Sequence, residues 1–327
     1  MSLLDISGLK LVFQTDRGRL DLFTSLDLAL GEREIVGIVG ESGSGKSTLA
    51  YAIIRLLPAS ARILGGEIVF DGKSLLHLKE SEMSQVRGKS ITMVFQDPGT
   101  SLNPLFRIRE QMLSVLKSSI GLEGPAAHRH MLELLKEVEL PDPESVLDAF
   151  PFELSGGMQQ RVMLAMALSA NPKLIIADEP TSAVDATIQA QILKLLHKLR
   201  AEREFSMILI THSIVAARDV CDRIVVMYAG DVVEDGLTSR VVSAPKHPYT
   251  KALLSCIPVP RKPDAEKTPL PVVAGQVPDL TSPPQGCRFH PRCPNAMAVC
   301  SQSRPPYFEV DSSRTQCFLY EPGRGPR

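Results

Sequence analysis

The sequence lacks an apolar stretch long enough to cross a membrane, since a transmembrane helix needs roughly 20 mostly apolar residues in a row and no run here comes near that length. It also lacks an excess of either charge, with 36 Lys and Arg against 37 Asp and Glu. This balance excludes a globally basic nucleic-acid-binding protein, although not a local basic patch. The first ten residues include Asp5 and no apolar segment of signal-peptide length, so we expect a cytosolic location.

Internal repeats and low-complexity tracts are absent too, and the length of 327 residues suits one large domain or two smaller ones. Proline is distributed unevenly, because 16 of the 25 prolines lie from Pro245 onward. Before that point, short apolar runs alternate with helical patterns, which predicts an α/β fold with a largely parallel sheet. We therefore predict a regular domain over residues 1–240 and a proline-rich extension over 241–327.

The expected elements follow from local patterns. Buried strands are predicted at residues 34–40, 173–177, 206–210 and 223–227, an alternating strand at 66–71 and a further strand at 91–95. Helices are predicted at 47–57, 131–138 and 162–168, with Pro58 ending the first of them. The first 33 residues are richer in strand-forming patterns and predict an antiparallel flank.

A phosphate-binding loop lies between the first buried strand and the helix that follows. The run fits G-x-x-x-x-G-K-[ST] at every fixed position and reads Gly40-Glu41-Ser42-Gly43-Ser44-Gly45-Lys46-Ser47, followed by Thr48. Glycines let such a loop aim its backbone N–H groups at phosphate, and the helix N-terminus adds positive potential. Lys46 is expected at the β and γ phosphates and Ser47 at Mg²⁺.

A second motif is an apolar strand that ends in two carboxylates, Asp178 and Glu179. An acid at this place can reach the Mg²⁺ of a phosphate loop on a neighbouring strand. We expect Asp178 to hold the metal and Glu179, one residue further on, to polarise the attacking water.

The segment upstream of that strand suggests a family. Leu154 is followed by Ser155-Gly156-Gly157-Met158-Gln159 and then an apolar helix. By itself this is a capped helix start with exposed N–H groups, which is a weak anion-site signal. Its position makes the chain resemble the ATP-binding subunits of ABC transporters, whose signature is LSGGQ-like. Here Met158 stands at the fifth place.

The resemblance extends to other motifs in the family's order. Gln96 matches the Q-loop glutamine, which the family uses to sense Mg²⁺ and the membrane partner. Ser182-Ala183-Val184-Asp185 matches the D-loop, and His212 matches the switch histidine at the γ phosphate. Phe13 falls where the family stacks an aromatic ring on adenine, with Phe23 as the alternative. The resemblance implies ATP and Mg²⁺ as cofactors, a RecA-like core with an antiparallel β flank, and a helical subdomain over about residues 99–170.

The tail resembles the C-terminal extension of oligopeptide and dipeptide importer ATPases, a group that also includes nickel importers. The resemblance rests on His247-Pro248-Tyr249 and the stretch GCRFHPRCPNAMAVC. Four cysteines in the tail are spaced C-x5-C-x6-C-x16-C, namely Cys287, Cys293, Cys300 and Cys317. Structural zinc sites usually have tighter pairs, whereas four thiolates suit a [4Fe–4S] cluster, which some members of the group carry. We expect that cluster, with zinc and free or disulfide-forming cysteines as the alternatives.

The expected function is that of the ATP-hydrolysing subunit of an ABC importer for dipeptides or oligopeptides, peripheral to the cytoplasmic face of the inner membrane. The resemblance implies a second ATPase subunit, of a different sequence in many such importers, two permease subunits and an extracytoplasmic substrate-binding protein, but no nucleic acid. The alternatives are import of nickel or another solute, and a soluble ABC-type ATPase acting on nucleic acid or ribosomes. Against the latter, the chain has one ATPase cassette and no basic surface signal.

Overall fold

The computed structural model describes residues 2–182, 185–257 and 272–323. Its strands are β1 Ser2–Thr15, β2 Gly18–Gly31, β3 Ile35–Val39, β4 Ala61–Phe70, β5 Lys73–Ser74, β6 Ile91–Val94, β7 Leu174–Asp178, β8 Ser206–Thr211, β9 Arg223–Tyr228, β10 Asp231–Leu237, β11 Phe308–Val310 and β12 Ser313–Thr315. Its helices are α1 Lys46–Ile53, α2 Glu80–Val86, α3 Pro98–Ser101, α4 Ile108–Ile120, α5 Gly124–Glu137, α6 Pro143–Asp148, α7 Gly156–Leu168, α8 Ala186–Arg203, α9 Ile214–Val220, α10 Thr238–Ser243, α11 Pro248–Ser255 and α12 Ala298–Gln302. Short 3₁₀ segments lie at Pro151–Glu153, His290–Arg292 and Phe318–Tyr320.

The described residues divide into two compact units. The first unit comprises residues 2–3, 30–35 and 70–211, and the second comprises 4–29, 36–69 and 212–323. Each unit contains its own parallel strand pairs and its own helices.

In the first unit, β7 lies between β6 and β8, and both pairings are parallel. Every residue of β7 is buried, which is why this strand reads as a continuous apolar run rather than an alternating one. Helices α3 to α7 pack on one another. The buried residues of α7 include Val162, Leu164 and Leu168, which point to different sides of the helix, so the C-terminal half of α7 is enclosed on most sides within the unit.

In the second unit, β3 pairs in parallel with β9. From β9 the sheet continues through antiparallel pairings to β10, then β12, then β11. The strands β1 and β2 are neighbours joined by two residues, and a connection that short makes the pair antiparallel. The α/β class and the antiparallel flank predicted from the sequence are both present.

The first helix ends earlier than the sequence predicted, at Ile53 instead of residue 57. Arg55 adopts a left-handed conformation with φ of 54°. The N–H of Leu56 then bonds to the carbonyl of Tyr51, and the N–H of Arg55 bonds to that of Ala52. This pair of bonds is a Schellman motif, so the helix ends before Pro58 has any effect.

No helix in the described part of the chain combines the length and apolar character needed to span a bilayer.

Candidate functional site

The phosphate loop lies in the second unit, between the end of β3 and the start of α1. The ammonium of the buried Lys46 donates hydrogen bonds of 2.8 Å to the carbonyl of Gly40 and 3.0 Å to that of Glu41. Gly45 has a φ of 100° at the N-cap of α1, a conformation that strains most other residues. The loop therefore presents the start of α1 and a cationic side chain, which together suit a phosphate group.

Two aromatic residues that the sequence left as alternatives differ in exposure. Phe23 is buried, and a Cβ added at Gly45 would lie 2.7 Å from its ring carbon Cε1. Phe23 thus packs beneath the loop as a core residue. Phe13, near the end of β1, is half-buried and keeps part of its ring accessible.

Two residues of the C-terminal segment contact Glu41 in the loop, and the sequence motifs did not predict these contacts. The hydroxyl of Tyr249 accepts a 2.9 Å hydrogen bond from the Glu41 N–H. The guanidinium of Arg292 donates to both carboxylate oxygens of Glu41, over 2.7 and 3.0 Å. Tyr249 belonged to the tail motif noted in the sequence. No sequence pattern connected Arg292 with a loop about 250 positions away.

The two carboxylates at the end of β7 belong to the first unit and differ in environment. Asp178 is buried, whereas Glu179 is half-buried and has a φ of 45°. The Glu179 N–H bonds to the carbonyl of Ile210 on β8 at 2.9 Å. The side-chain amide of Gln96, an exposed residue, donates to a Glu179 carboxylate oxygen over 3.2 Å.

The segment from Ser155 to Gln159 forms the beginning of α7. The Ser155 hydroxyl caps the helix by accepting a 3.3 Å bond from the Met158 N–H. Ser155 and Gly156 are exposed, so the N-terminal amides of this helix face solvent and can receive an anion. Gln159 is turned inward, since its amide donates to the carbonyl of Pro151 over 2.8 Å.

The start of α8 lies against the same segment. Asp185 is its N-cap and accepts hydrogen bonds from the N–H groups of Thr187 and Ile188. A Cβ added at Gly157 would lie 2.8 Å from the Cγ2 methyl of Ile188. The other D-loop residues, Ala183 and Val184, lie outside the described residues. His212, in the second unit, is exposed and directly follows β8.

The predicted iron–sulfur cluster is wrong. Cys287, Cys293, Cys300 and Cys317 are free cysteines that line a cavity of about 10 Å³, roughly the space that one water molecule occupies. Burial raises the pKa of Cys287 to about 12 and that of Cys317 to about 11, so both are protonated thiols at neutral pH in the metal-free chain. Within residues 2–182, 185–257 and 272–323, no group of three or more His, Cys, Asp or Glu is placed to hold a metal ion. Neither the cluster nor the zinc alternative is supported.

A glycine-rich loop with its lysine after a buried parallel strand, together with a second buried strand that ends in carboxylates, defines a P-loop nucleoside triphosphatase. Comparison with known proteins narrows this class. Residues 23–182 match the family described as ABC transporter, and residues 233–300 match the C-terminal region of oligopeptide/dipeptide transporters.

Curated relatives match over nearly the whole chain. The oligopeptide transport ATP-binding protein OppD of Escherichia coli is 43% identical over 97% of this chain and 93% of its own length. The dipeptide transport ATP-binding protein DppD of Haemophilus influenzae is 42% identical over 97% of this chain and 95% of its own length. A solved dimeric ATP-binding cassette in a post-hydrolysis state, bound to ADP and Pi, covers 72% of this chain and 98% of its own with a TM-score of 0.64 and 31% identity.

The chain therefore belongs to the ABC transporter family and, within it, to the ATP-binding proteins of the oligopeptide/dipeptide transporters. Its activity is ATP hydrolysis coupled to transport. The near-complete match to transporter subunits does not favour the alternative of a soluble ATPase acting on nucleic acid or ribosomes.

Proposed function

We propose that this chain powers the import of oligopeptides or dipeptides. The observation that carries the proposal is the match to oligopeptide and dipeptide transport ATP-binding proteins over 97% of the chain. The match of residues 233–300 to the transporters' C-terminal region also supports it, because that region lies outside the ATP-binding motifs. We also propose that residues 241–327 form an extension characteristic of these importers, following an ATPase domain over 1–240.

The proposed roles of the site residues follow from their chemistry. Lys46 neutralises the β and γ phosphates, and the half-buried Phe13 stacks on adenine. The hydroxyl of Ser47, the amide oxygen of Gln96 and the carboxylate of Asp178 are hard oxygen donors that fit Mg²⁺. When bound, Mg²⁺ neutralises charge on the phosphate oxygens.

Glu179 is the proposed base that orients the attacking water, and His212 is the proposed partner of the γ phosphate. Catalysis of this kind is mostly positioning and electrostatic stabilisation. The 3.2 Å contact between Gln96 and Glu179 supports a role for both residues in one step of this reaction.

A second ATPase subunit, of the same or a different sequence, is the proposed partner in ATP binding. The exposed N-terminus of α7, with Ser155 and Gly156, would bind the γ phosphate of ATP held by that partner. The dimeric arrangement of the similar solved cassette supports this proposal. Closure around ATP would then convert binding energy into a conformational change.

A groove after Gln96 suits contact with a membrane permease subunit. It measures about 460 Å³, and its lining includes Ser101, Leu102, Phe106, Gln111, Val115 and Met166. Leu105 next to it is 80% exposed and Phe106 is 50% exposed. Apolar side chains this exposed around a groove mark an interaction surface, and we propose that the groove receives a short cytoplasmic segment of one permease subunit.

The complete importer would contain two permease subunits and an extracytoplasmic substrate-binding protein, with this chain peripheral on the cytoplasmic face of the inner membrane. The test is to purify the tagged chain from membranes and to identify its partners by mass spectrometry. The purified complex is then placed in proteoliposomes with its binding protein. ATP-dependent uptake of labelled peptides is the expected result.

Two results would contradict the proposal. Uptake of Ni²⁺ or another solute in place of peptides would assign a different substrate. Co-purification with ribosomal proteins, and with no permease, would remove the chain from transport.

A further inference from the structure

The C-terminal extension contacts the phosphate loop through one arginine. The two terminal nitrogens of Arg292 pair with the two carboxylate oxygens of Glu41, the residue directly after the first glycine of the loop. The Arg292 side chain is 5% exposed and that of Glu41 is 26% exposed. A two-pronged, largely shielded ion pair is geometrically specific and stronger than an exposed single contact.

Arg292 is itself held in place by several groups. Its remaining bonds go to the carbonyls of Val273 and Ala274 and to the hydroxyl of Tyr228. The neighbouring Phe289 packs edge-on against the Tyr228 ring. Because these contacts already restrict the rotamers of the guanidinium, pairing with Glu41 costs little additional side-chain entropy. Arg292 therefore supports Glu41 rigidly.

Arg288 fastens the same short segment to the rest of the second unit. It is buried and donates to the carbonyls of Asp21, Leu22 and Ala229. The segment that carries Arg292 is therefore attached to a strand of the flank and to the turn after β9. The hydrogen bonds of Arg288 to β2 and to the turn after β9 therefore oppose a displacement of Arg292 relative to the loop.

Glu41 connects this support to the cation of the loop. Its carbonyl accepts from the Lys46 ammonium at 3.0 Å, while its N–H donates to the Tyr249 hydroxyl at 2.9 Å. The backbone at Glu41 is thus fixed from both sides, and the position of Lys46 depends on it. Because the extension supplies both Arg292 and Tyr249, the phosphate loop is not a self-contained element in this chain.

We propose that Arg292 is a positioning residue for ATP binding: its ion pair with Glu41 holds the phosphate loop, and with it Lys46, in the conformation that receives the phosphates. The ion pair does not touch the reacting atoms. Its loss therefore weakens binding of ATP and leaves the rate of the bound complex nearly unchanged.

The experiment uses the full-length chain and the assembled transporter. Arg292→Gln is expected to raise the dissociation constant for ATP, and KM with it, by about 3- to 10-fold, with kcat within about 2-fold. Arg304→Gln is the matched control, because Arg304 also ties the extension to the unit, through Thr24 and Asp231, but does not contact the loop. The control should leave KM unchanged.

A double-mutant cycle separates the ion pair from general loosening. Arg292→Gln and Glu41→Gln should each weaken ATP binding, and the double variant should be no weaker than the worse single variant, since both remove the same interaction. Tyr249→Phe keeps the ring and removes only the hydroxyl that accepts the Glu41 N–H, so it provides a second test if Arg292→Gln does not fold.

Weakened ATP binding in Tyr249→Phe with unchanged kcat would support the role of the extension in positioning the loop. Unchanged ATP affinity in folded Arg292→Gln would overturn the proposal. So would additive effects in the cycle, or an equal loss of affinity in Arg304→Gln.

Discussion

The side-chain amide of Gln96 donates a 3.2 Å hydrogen bond to a carboxylate oxygen of Glu179. Each oxygen of an ionised carboxylate can accept more than one hydrogen bond. The contact fixes the orientation of the carboxylate, which a base must have if it is to align a water molecule for attack. Gln96 and Glu179 are 83 positions apart in the chain, and each was identified from a separate motif.

Replacing Glu179 by glutamine should separate ATP binding from ATP hydrolysis. Glu179→Gln keeps the size of the side chain and an oxygen that can accept from Gln96, but it removes the base. Hydrolysis by the assembled transporter should slow by about 10²- to 10⁴-fold, the usual contribution of a positioned base, while ATP affinity stays within a few-fold. Radiolabelled ATP should then be trapped in a closed complex. Turnover equal to that of the wild type would exclude Glu179 from the mechanism.

Gly156→Asp tests whether the start of α7 serves ATP held by another subunit. The substitution places a negative charge at an exposed helix N-terminus, where it repels the γ phosphate. We expect the isolated chain to bind ATP normally, and hydrolysis by the complex to fall by at least about 10-fold, which corresponds to about 1.4 kcal/mol. Lys46→Ala is the comparison, because it should weaken binding in the isolated chain. If Gly156→Asp weakened that binding to the same extent, the assignment to a partner's ATP would be wrong.

The clustered cysteines should react slowly with alkylating reagents. Burial raises the pKa of Cys287 to about 12 and that of Cys317 to about 11, so at pH 7 only about 10⁻⁵ of the Cys287 thiol is the reactive thiolate. Iodoacetamide labelling followed by peptide mass spectrometry measures each site. The buried Cys300 and Cys317 should be labelled more slowly than the half-buried Cys256, and all six cysteines should be labelled in denaturant. Rapid labelling of the buried Cys317 in the native protein would contradict this prediction.

The buried His247 should make the fold sensitive to acid. Burial, together with the charge of Lys251, lowers its pKa from 6.5 to about 3, so the folded chain favours the neutral ring. Between these two values the unfolded chain binds more protons. The stabilising contribution is thus complete above about pH 6.5 and is lost as the pH falls toward 3. Glu234, which accepts a 2.8 Å hydrogen bond from the backbone N–H of His247, opposes part of this effect. Burial raises its pKa, so the folded chain binds the proton of this carboxyl more tightly than the unfolded chain does, and acid stabilises the fold at this group.

His247→Asn removes the titration but retains a side chain that can accept from the Tyr249 N–H, as His247 does at the N-cap of α11. The thermal midpoint of this variant should fall less between pH 7 and pH 5 than that of the wild type. His197→Asn is the control, since His197 is exposed on α8. A variant with the wild-type pH profile would show that another group is responsible.

The sequence predicted most of what depends on local pattern. Buried strands such as β7 were found from their apolar runs, and the loop around Lys46 from its fixed spacing. The sequence alone could not predict whether a particular side chain is buried. Phe13 and Phe23 look alike in sequence, yet only Phe23 packs under Gly45. The cysteine spacing likewise does not show that the four cysteines line a cavity of only about 10 Å³ and form no group placed to hold a metal ion among the described residues, and for that reason the cluster prediction failed.

Contacts between side chains far apart in the sequence could not be predicted either. Arg292 resembles any other arginine in a proline-rich tail, and its pairing with Glu41 exists only because the chain returns to the loop after about 250 residues. The predicted end of α1 was wrong because the sequence shows Pro58 but does not show that Arg55 adopts the left-handed conformation that ends the helix.

Gly157 has one more consequence for the first unit. With only a hydrogen atom at Gly157, the beginning of α7 lies directly against Ile188, whose N–H is capped by Asp185. The Cγ2 methyl of Ile188 fills the space that a Cβ at Gly157 would need, at 2.8 Å. Any larger residue at position 157 would therefore have to push the first turn of α8 away from the beginning of α7.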